Sequence, residues 1–204
     1  MSRIAVTYGG TYFHHETYCC PPFSEQVDEL LYLPELSDAA LQQYDAIIVS
    51  CRSNPRFLQP LADRWLAYLQ AGGTLVVFAE CGVQNWLPGI EFHPKTVNYW
   101  WWLEDGAEHD IQPTNLDHSL FQCLTHKDMT WHYHGTFTPP EGATVLLQHP
   151  DGSSVLFDDR TSYAGRLIVT TLDPSFHHGS HFMPAATRFL HGFLPWLRQE
   201  VERD

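Results

Sequence analysis

The most constraining feature of the sequence is a strand–helix–strand pattern in its first half. A continuous apolar run with three β-branched residues, AIIVSC at 46–51, predicts a buried strand. An asparagine cap and a first-turn proline follow at 54–55, apolar residues then recur at helical spacing, and a glycine pair at 72–73 ends the helix. TLVVFAE at 74–80 predicts a second buried strand. The pattern therefore indicates a right-handed βαβ unit in a parallel sheet.

Two earlier segments extend this unit toward the start of the chain. RIAVTY at 3–8 predicts a first buried strand, which a glycine pair closes. Residues 11–24 are expected to form a loop rich in polar and aromatic side chains. A second strand is expected near residues 30–33, after a segment that also allows a short helix.

The last third of the chain returns to strand patterns and then to a helix. Strands are predicted at 143–148, 154–159 and 166–172, with Asp151-Gly152 as the hairpin turn between the first two. A final helix is expected from Pro184 onward. Pro195 lies inside its apolar pattern and is expected to kink or shorten the last turn.

Repeated strand–helix units predict an α/β fold of the flavodoxin-like, doubly wound type, with a mainly parallel sheet and helices on both faces. Residues 90–140 show little helical periodicity and predict a β-rich elaboration, partly strand and partly loop. No internal repeat or flexible linker divides the chain, so residues 1–204 are expected to form a single domain.

The composition of the chain limits the partners that it can bind and indicates where in the cell it is found. The formal charge of −13 makes nucleic acid and anionic membrane surfaces poor partners, because like charges repel. The N-terminus lacks the pattern of a signal peptide, and no apolar run approaches the roughly 18 residues of a spanning helix. Five scattered cysteines favour reduced thiols over a disulfide framework. A cytoplasmic, soluble protein that binds a small molecule is expected.

Cys81 and Glu80 stand at the carboxyl end of a predicted strand, the edge at which open parallel sheets bind ligands. A thiol at a strand-to-helix turn can act as a thiolate nucleophile, although free cysteines are more often buried and inert. Glu80 can act as an acid or base, or it can bond to backbone amides. A histidine from the run at 177–181, either His177 or His178, is the candidate catalytic partner.

Two histidine-rich segments form a second candidate site. His132 and His134 alternate on one face of a predicted strand, and His178 and His181 follow the strand at 166–172. Two ligands from each segment could hold a divalent metal such as zinc, and packing through hydrogen bonds is the competing interpretation. No cofactor is otherwise indicated.

Five residues at or near strand ends are candidates for substrate binding. Aromatic faces suit a sugar or another flat ligand, and core packing or a homodimer contact around residues 99–102 is the alternative. The candidates are Gly10, His14, His15, Trp86 and Trp101.

The sequence resembles the class I glutamine amidotransferase-like superfamily, which has a flavodoxin-like fold with its site at a nucleophile elbow. The resemblance rests on YDAIIVS, AGGTLVVFAECG, WLPG at 86–89 and GRLIVTTLDP before a helix ending in FLPWL. DHSLFQCL at 117–124 makes it most similar to the ThuA-like and trimerisation-domain-like branches. The resemblance implies carbohydrate metabolism and, in many members, no working amidotransferase site.

Two departures from the family pattern argue against glutamine hydrolysis. Amidotransferases carry GxCxG at the elbow, whereas Cys81 here lacks both flanking glycines. Their catalytic HPE follows a late strand, and that place reads Leu172-Asp173-Pro174. The sequence therefore predicts a hydrolase-type enzyme with a remodelled elbow that acts on a small polar, sugar- or amide-like substrate. A non-catalytic binding or assembly module, or a histidine-ligated metal site, is the alternative.

Overall fold

The computed structural model describes residues 2–36, 41–97, 99–106 and 109–203, and of Trp102 only the backbone. The described residues form one ten-stranded sheet. Its strands are β1 (Ile4–Tyr8), β2 (Glu29–Tyr32), β3 (Ala46–Val49), β4 (Thr74–Val77), β5 (Glu91–Pro94), β6 (Gln112–Pro113), β7 (Gly135–Thr138), β8 (Thr144–Gln148), β9 (Ser154–Asp159) and β10 (Arg166–Thr170). The described helices are α1 (Tyr12–Cys19), α2 (Pro55–Leu58), α3 (Ala62–Gln70), α4 (Pro174–Gly179) and α5 (Pro184–Arg203).

The sheet is mixed, with a parallel half and an antiparallel half. The order β2-β1-β3-β4-β10 is parallel throughout, as the strand–helix–strand pattern predicts. Beyond β10 the sheet continues through β9, β7 and β5, and every pairing there is antiparallel. The doubly wound α/β fold is confirmed. The elaboration around residues 90–140 contributes β5, β6 and β7 and extends the parallel sheet.

Helices cover both faces of the parallel half, because alternate residues of each buried strand point to opposite sides. Ile4, Ile48 and Ile168 pack on the face that α5 covers. The intervening residues of the same strands pack on the opposite face against Trp65 and Leu69 of α3. Two cores therefore hold the central strands from either side and fix the positions of the strand ends.

The segment 11–24 differs from its prediction as a loop, since it contains the two-turn helix α1. The buried face of α1 consists of His14, Thr17 and Tyr18, at helical spacing. Two of these three side chains are polar, and no strongly apolar stripe marks the helix. Hydrophobic periodicity therefore gave no signal, although the spacing itself is helical.

The C-terminal helix α5 starts at Pro184 as predicted and runs without a break to Arg203. Pro195 does not end it, because Phe193, Leu194 and Trp196 around the proline are all buried and their packing offsets a lost backbone hydrogen bond. Among the described residues, no helix is both long and apolar enough to cross a membrane.

The predicted hairpin joins β8 and β9, with Gly152 in the left-handed region at φ 87°. Its loop spans 149–153, where the His149 N–H donates to Ser153 O and the Gly152 N–H donates to His149 O. Glycine is favoured there because residues with a side chain rarely adopt that backbone conformation.

Candidate functional site

Three charged side chains follow the carboxyl ends of three neighbouring parallel strands. Arg52 comes after β3, Glu80 after β4 and Asp173 after β10, and these strands are adjacent in the order β3-β4-β10. Arg52 Nε lies 2.9 Å from Glu80 Oε2, and Arg52 Nη2 lies 3.0 Å from Asp173 Oδ2. The edge at which such sheets bind ligands therefore carries one cation between two carboxylates.

Histidines from two other segments complete this group. His132 and His134 were predicted to lie on a strand, but they precede β7, which begins only at Gly135. His177 lies on α4, four residues after Asp173. The Arg52 cluster is defined here as Arg52, Glu80, His132, His134, Asp173 and His177.

Glu80, and not Cys81, occupies the elbow of the strand-to-turn connection. Glu80 has φ 62°, in the left-handed region that non-glycine residues avoid, and Gly82 has φ 61°. When GxCxG is laid over Phe78–Gly82, Glu80 takes the central position and Gly82 matches the final glycine. The strained backbone therefore lies at Glu80, one residue before the Cys81 that the sequence comparison placed at the elbow.

Arg52, the partner of Glu80, is strained in the same way, with φ 58°. Its guanidinium carbon lies 3.5 Å from the centre of the Phe176 ring, which holds the side chain over the sheet edge. A non-glycine residue in this region costs roughly 1–3 kcal/mol, and such strain concentrates at functional sites. Two strained residues on adjacent strands that pair with each other mark this edge as a specialised region.

Cys81 is buried and serves as a packing residue. Its thiol donates to Ser50 O at 3.1 Å, and its own carbonyl accepts from Trp86 Nε1 at 3.0 Å. Burial raises the pKa of the Cys81 thiol to about 12, although a backbone hydrogen bond from Ser53 opposes the shift. Among the described residues, no histidine nitrogen hydrogen-bonds to this sulfur. The thiol therefore stays protonated near neutral pH, with no histidine base bonded to it among the described residues.

Asp173 is the buried centre of the Arg52 cluster. Its Oδ1 lies 3.0 Å from His177 Nε2 and accepts a hydrogen bond from Trp131 Nε1 at 3.3 Å. Its Oδ2 accepts from Arg52. Burial favours the neutral acid, but the contacts with His177 and Arg52 outweigh it and hold the pKa of Asp173 below its usual value. Asp173 is therefore a buried carboxylate that keeps its charge.

The three imidazoles of the cluster lie in a row. The His132 ring centre is 4.7 Å from that of His177 and 5.7 Å from that of His134. Burial, together with the neighbouring His177, lowers the pKa of His132 to about 4, so this ring is neutral at neutral pH. His134 Nδ1 lies 3.5 Å from Glu80 Oε1 and 3.1 Å from the Tyr99 hydroxyl.

Several ring nitrogens of the cluster have unused hydrogen-bonding capacity. His177 is fully buried, and neither of its nitrogens makes a hydrogen bond of acceptable geometry within the described part of the chain, despite the close approach to Asp173. The buried Nε2 of His134 also lacks a partner among these residues. A buried ring nitrogen without a protein partner can bind a ligand or a water molecule.

Across the described ranges, only two groups of three donor atoms come within 4.8 Å of one another. The first joins His132, Asp173 and His177, and the second joins Glu80, His134 and Asp173. Both belong to the Arg52 cluster, and both use Asp173.

The predicted metal ligands His132, His134, His178 and His181 are not brought together as a set. His178 Nδ1 lies 2.9 Å from Thr187 Oγ1 and its ring packs on Phe23, while His181 Nε2 lies 3.4 Å from Glu16 Oε1. α4 explains the difference, because adjacent residues of a helix point about 100° apart, so His177 faces Asp173 while His178 faces α5.

The predicted substrate-binding residues have separate positions. His14 is buried: its Nδ1 accepts from the Gly9 N–H and its Nε2 donates to Cys51 O at 2.7 Å, so both nitrogens are already used. Gly10 and His15 are exposed. Trp86 is a core residue against Trp65, and Trp101 lines a cavity.

Two cavities flank the Arg52 cluster. One of about 280 Å³ lies on the elbow side and includes Glu80, His134 and Thr171 in its wall. The other, of about 750 Å³, is mainly aromatic and apolar, and includes Trp101, His132 and other residues of the segments 99–101, 130–132 and 182–188. The cluster can therefore be reached from either side by a small molecule.

Arg52 and Asp173 were not singled out in the sequence. Each follows the apolar run of a predicted parallel strand, which is the same signal that drew attention to Glu80. The ends of β3, β4 and β10 are neighbours because these strands are adjacent in the sheet. The sequence pattern does not reveal that order.

No protein-family model matches this chain, and no curated protein matches it. Solved structures do match. A cytoplasmic protein from Salmonella typhimurium LT2 aligns over 100% of this chain and 99% of its own, at TM-score 0.61 and 13% identity. A glutamine amidotransferase from Thermotoga maritima aligns over 98% of each chain, at TM-score 0.61 and 12% identity. A putative ThuA-like protein from Bacteroides uniformis covers 96% of this chain and 91% of its own, at TM-score 0.52 and 12% identity.

These similarities confirm the resemblance to the class I glutamine amidotransferase-like and ThuA-like fold. At such low identity they concern the fold alone.

Proposed function

We propose that this chain is a hydrolase-type enzyme acting on a small polar, sugar-like or amide-like molecule, with Glu80 and His134 as its acid–base groups. The single observation that carries the proposal is the position of Glu80. It occupies the strained elbow at the end of β4, and its Oε1 faces His134 Nδ1 at 3.5 Å. An elbow presents its central side chain to the ligand-binding edge, so the chemistry there belongs to a carboxylate and not to a thiol.

The proposed step is a hydrolysis in which the Glu80–His134 pair handles the proton. The pair takes a proton from a water molecule, and the water oxygen attacks the electrophilic carbon of the substrate. The pair then returns the proton to the leaving oxygen or nitrogen as the bond to that atom breaks. Such general acid–base catalysis contributes typically 10²–10⁴-fold to a rate.

The surroundings of Glu80 suit this role. Its side chain is 32% exposed, so water and substrate can reach it, and Arg52 holds Oε2 and leaves Oε1 toward His134. Thr171 lines the same cavity, and its buried hydroxyl has no partner among the described residues. Ligand cavities span about 300–1,000 Å³, so a cavity of about 280 Å³ suits a small molecule.

The test compares Glu80→Gln with Cys81→Ser on p-nitrophenyl esters, p-nitrophenyl glycosides and amino-acid p-nitroanilides. We expect the wild type to hydrolyse at least one class, Glu80→Gln to lose about 100-fold or more in kcat/KM, and Cys81→Ser to stay near wild type. Full activity in Glu80→Gln, or its loss in Cys81→Ser, would contradict the proposal. Hydrolysis no faster than in buffer with all three classes would reject it in favour of a non-catalytic binding module.

Thiol alkylation provides an independent check on Cys81. With iodoacetamide at neutral pH, the exposed Cys19 and Cys123 should be labelled before the buried Cys81. Peptide mass spectrometry over time measures the order. Preferential early labelling of Cys81 would restore the thiol as the reactive group.

A further inference from the structure

His177 is a fully buried side chain with unmet bonding capacity. It has no exposed surface, and within the described residues neither ring nitrogen makes a hydrogen bond of acceptable geometry. Leaving a buried polar group unpaired costs about 1–3 kcal/mol, so the fold tolerates this arrangement only for a reason. A ligand that accepts the imidazole lone pair would remove the cost.

The neighbours of His177 are themselves metal donors. Asp173 Oδ1 lies 3.0 Å from His177 Nε2, and the donor atoms of His132, Asp173 and His177 lie within 4.8 Å of one another. Two ligand atoms bound to one zinc or iron at about 2.1 Å are about 3 Å apart when the angle between them is near 90°. The His177–Asp173 distance therefore matches the edge of a coordination polyhedron, and a donor nitrogen of His132 lies within 4.8 Å of the other two donor atoms.

The position of Arg52 distinguishes the group of His132, Asp173 and His177 from the group of Glu80, His134 and Asp173. Arg52 contacts Oε2 of Glu80 and Oδ2 of Asp173, so a cation bound between Glu80, His134 and Asp173 would face a guanidinium that already neutralises both acids. The Oδ1 side of Asp173 faces His177 and Trp131 instead. A metal ion is therefore favoured on the His132–His177 side of Asp173.

We propose that His132, Asp173 and His177 bind one divalent transition-metal ion of the zinc or ferrous type. Two imidazoles and one carboxylate on one side of an ion are a known donor set for both metals, and they leave positions open for water or substrate. This inference deepens the proposed function and rests on its site. The shared Asp173 places the ion next to Glu80 and His134, where a metal-bound water is a stronger acid than free water.

The coordination positions that the protein leaves open face the aromatic cavity beside His132. His132 lines the cavity of about 750 Å³, and the His177 ring centre lies 4.7 Å from that of Phe182, which lines the same cavity. A largely apolar wall on that side limits competing water and strengthens electrostatic contacts with the ion.

Metal binding is tested without any activity measurement. Protein prepared without a histidine tag is stripped with a chelator, then titrated with Co²⁺ under visible absorption and with Zn²⁺ under equilibrium dialysis. We expect one ion per chain, cobalt bands of a site with nitrogen and oxygen ligands, and displacement of Co²⁺ by Zn²⁺. No stoichiometric binding of either ion would overturn the inference.

Variants then identify the ligands. His132→Ala should weaken Zn²⁺ binding about 100-fold or more, since loss of even an outer-shell partner costs about 10–100-fold. His132 is only half-buried, so this variant is expected to fold, and its urea midpoint checks that. The control is His178→Ala, which removes the residue next to His177 but should bind Zn²⁺ like the wild type. Weakened binding in His178→Ala together with unchanged binding in His132→Ala would assign the ion elsewhere and refute the site.

The two proposals can fail separately. If Glu80→Gln retains full turnover while His132→Ala loses Zn²⁺, the acid–base assignment is wrong and the metal site stands. If Glu80→Gln loses turnover and the stripped wild type binds no ion, the metal inference is wrong and the proposed function stands.

Discussion

Strand β10 carries a charged cluster at each of its ends, and the two clusters are built differently. Arg166, the first residue of β10, pairs with Asp158 and Glu200, and Asp158 also contacts His118. These four residues are called the Arg166 cluster. Beyond the last residue of β10, Asp173 anchors the Arg52 cluster. Both clusters pair an arginine with a buried aspartate, but only the Arg52 cluster contains buried polar atoms without a hydrogen-bond partner among the described residues.

The Arg166 cluster is closed. Arg166 donates to both oxygens of Asp158 and to Glu200, and its guanidinium lies 4.9 Å from the Trp196 ring centre. His118 accepts from the Leu120 N–H through Nδ1 and reaches Asp158 through Nε2. Every member thus has a defined partner, so the arrangement can hold β9, β10 and α5 together.

The Arg52 cluster is open. Glu80 and Arg52 adopt left-handed backbone conformations, and both nitrogens of His177 and the buried Nε2 of His134 lack hydrogen bonds within the described residues. The two clusters therefore differ in backbone strain and in unmet hydrogen bonds rather than in the presence of buried charge.

The largest expected effect breaks the closed cluster. Arg166→Met removes the most buried cation of the cluster but leaves Arg160 and His118 near Asp158, and Arg160 and Arg203 near Glu200. It should therefore lower the free energy of unfolding by about 3 kcal/mol, the low end of the cost of breaking a buried pair. Arg52→Met should lower the free energy of unfolding by less, because the Arg52 side chain is 31% exposed and water can replace part of its hydrogen bonding. Urea unfolding of both variants measures the two free-energy losses. A larger loss in Arg52→Met than in Arg166→Met would show that the Arg52 cluster, rather than the Arg166 cluster, is the main structural ion pair.

Acid should weaken the closed cluster next. Burial opposes ionisation of Asp158, but hydrogen bonds from His118 and Arg166 outweigh it and lower its pKa from 3.8 to about 2. A carboxylate with a depressed folded pKa stabilises the fold above its unfolded pKa, and this stability is lost as pH falls from about 4 toward 2. The loss is about 2 kcal/mol. Urea unfolding across this window tests it, and Asp158→Asn should give a flatter curve than the wild type.

The smallest effect concerns strain in the open cluster. Glu80→Gly relieves the left-handed backbone at φ 62° but loses a partly exposed ion pair worth about 0–1 kcal/mol, so stability should change by less than about 1 kcal/mol. Glu80→Ala loses the same pair and keeps the strain, so it should be about 1 kcal/mol less stable than Glu80→Gly. Thermal unfolding of the two variants compares them. Equal stability would show that the elbow is unstrained.

Pattern reasoning from the sequence recovered the parallel half of the fold, because buried strands such as β3 and β4 give continuous apolar runs. It missed α1, whose buried face is His14, Thr17 and Tyr18, because that face is largely polar. Amphipathic periodicity detects only helices with an apolar stripe.

The candidate site was recovered in part for a different reason. Glu80, His132, His134 and His177 were all identified as chemical groups, and the sequence could not show which of them meet. The contact between Arg52 and Asp173 joins residues 121 positions apart in the chain. It depends on β10 lying beside β4 in the sheet, a matter of topology that no local spacing records.

Turnover and unfolding measured together in Glu80→Gln show most directly whether Glu80 is the working group. We expect kcat/KM to fall by about 100-fold or more and the free energy of unfolding to change by less than about 1 kcal/mol. That result would separate the open cluster, which serves a ligand, from the closed cluster, which serves the fold. Unchanged turnover in a stably folded Glu80→Gln protein would contradict the claim that Glu80 is the working group of this elbow.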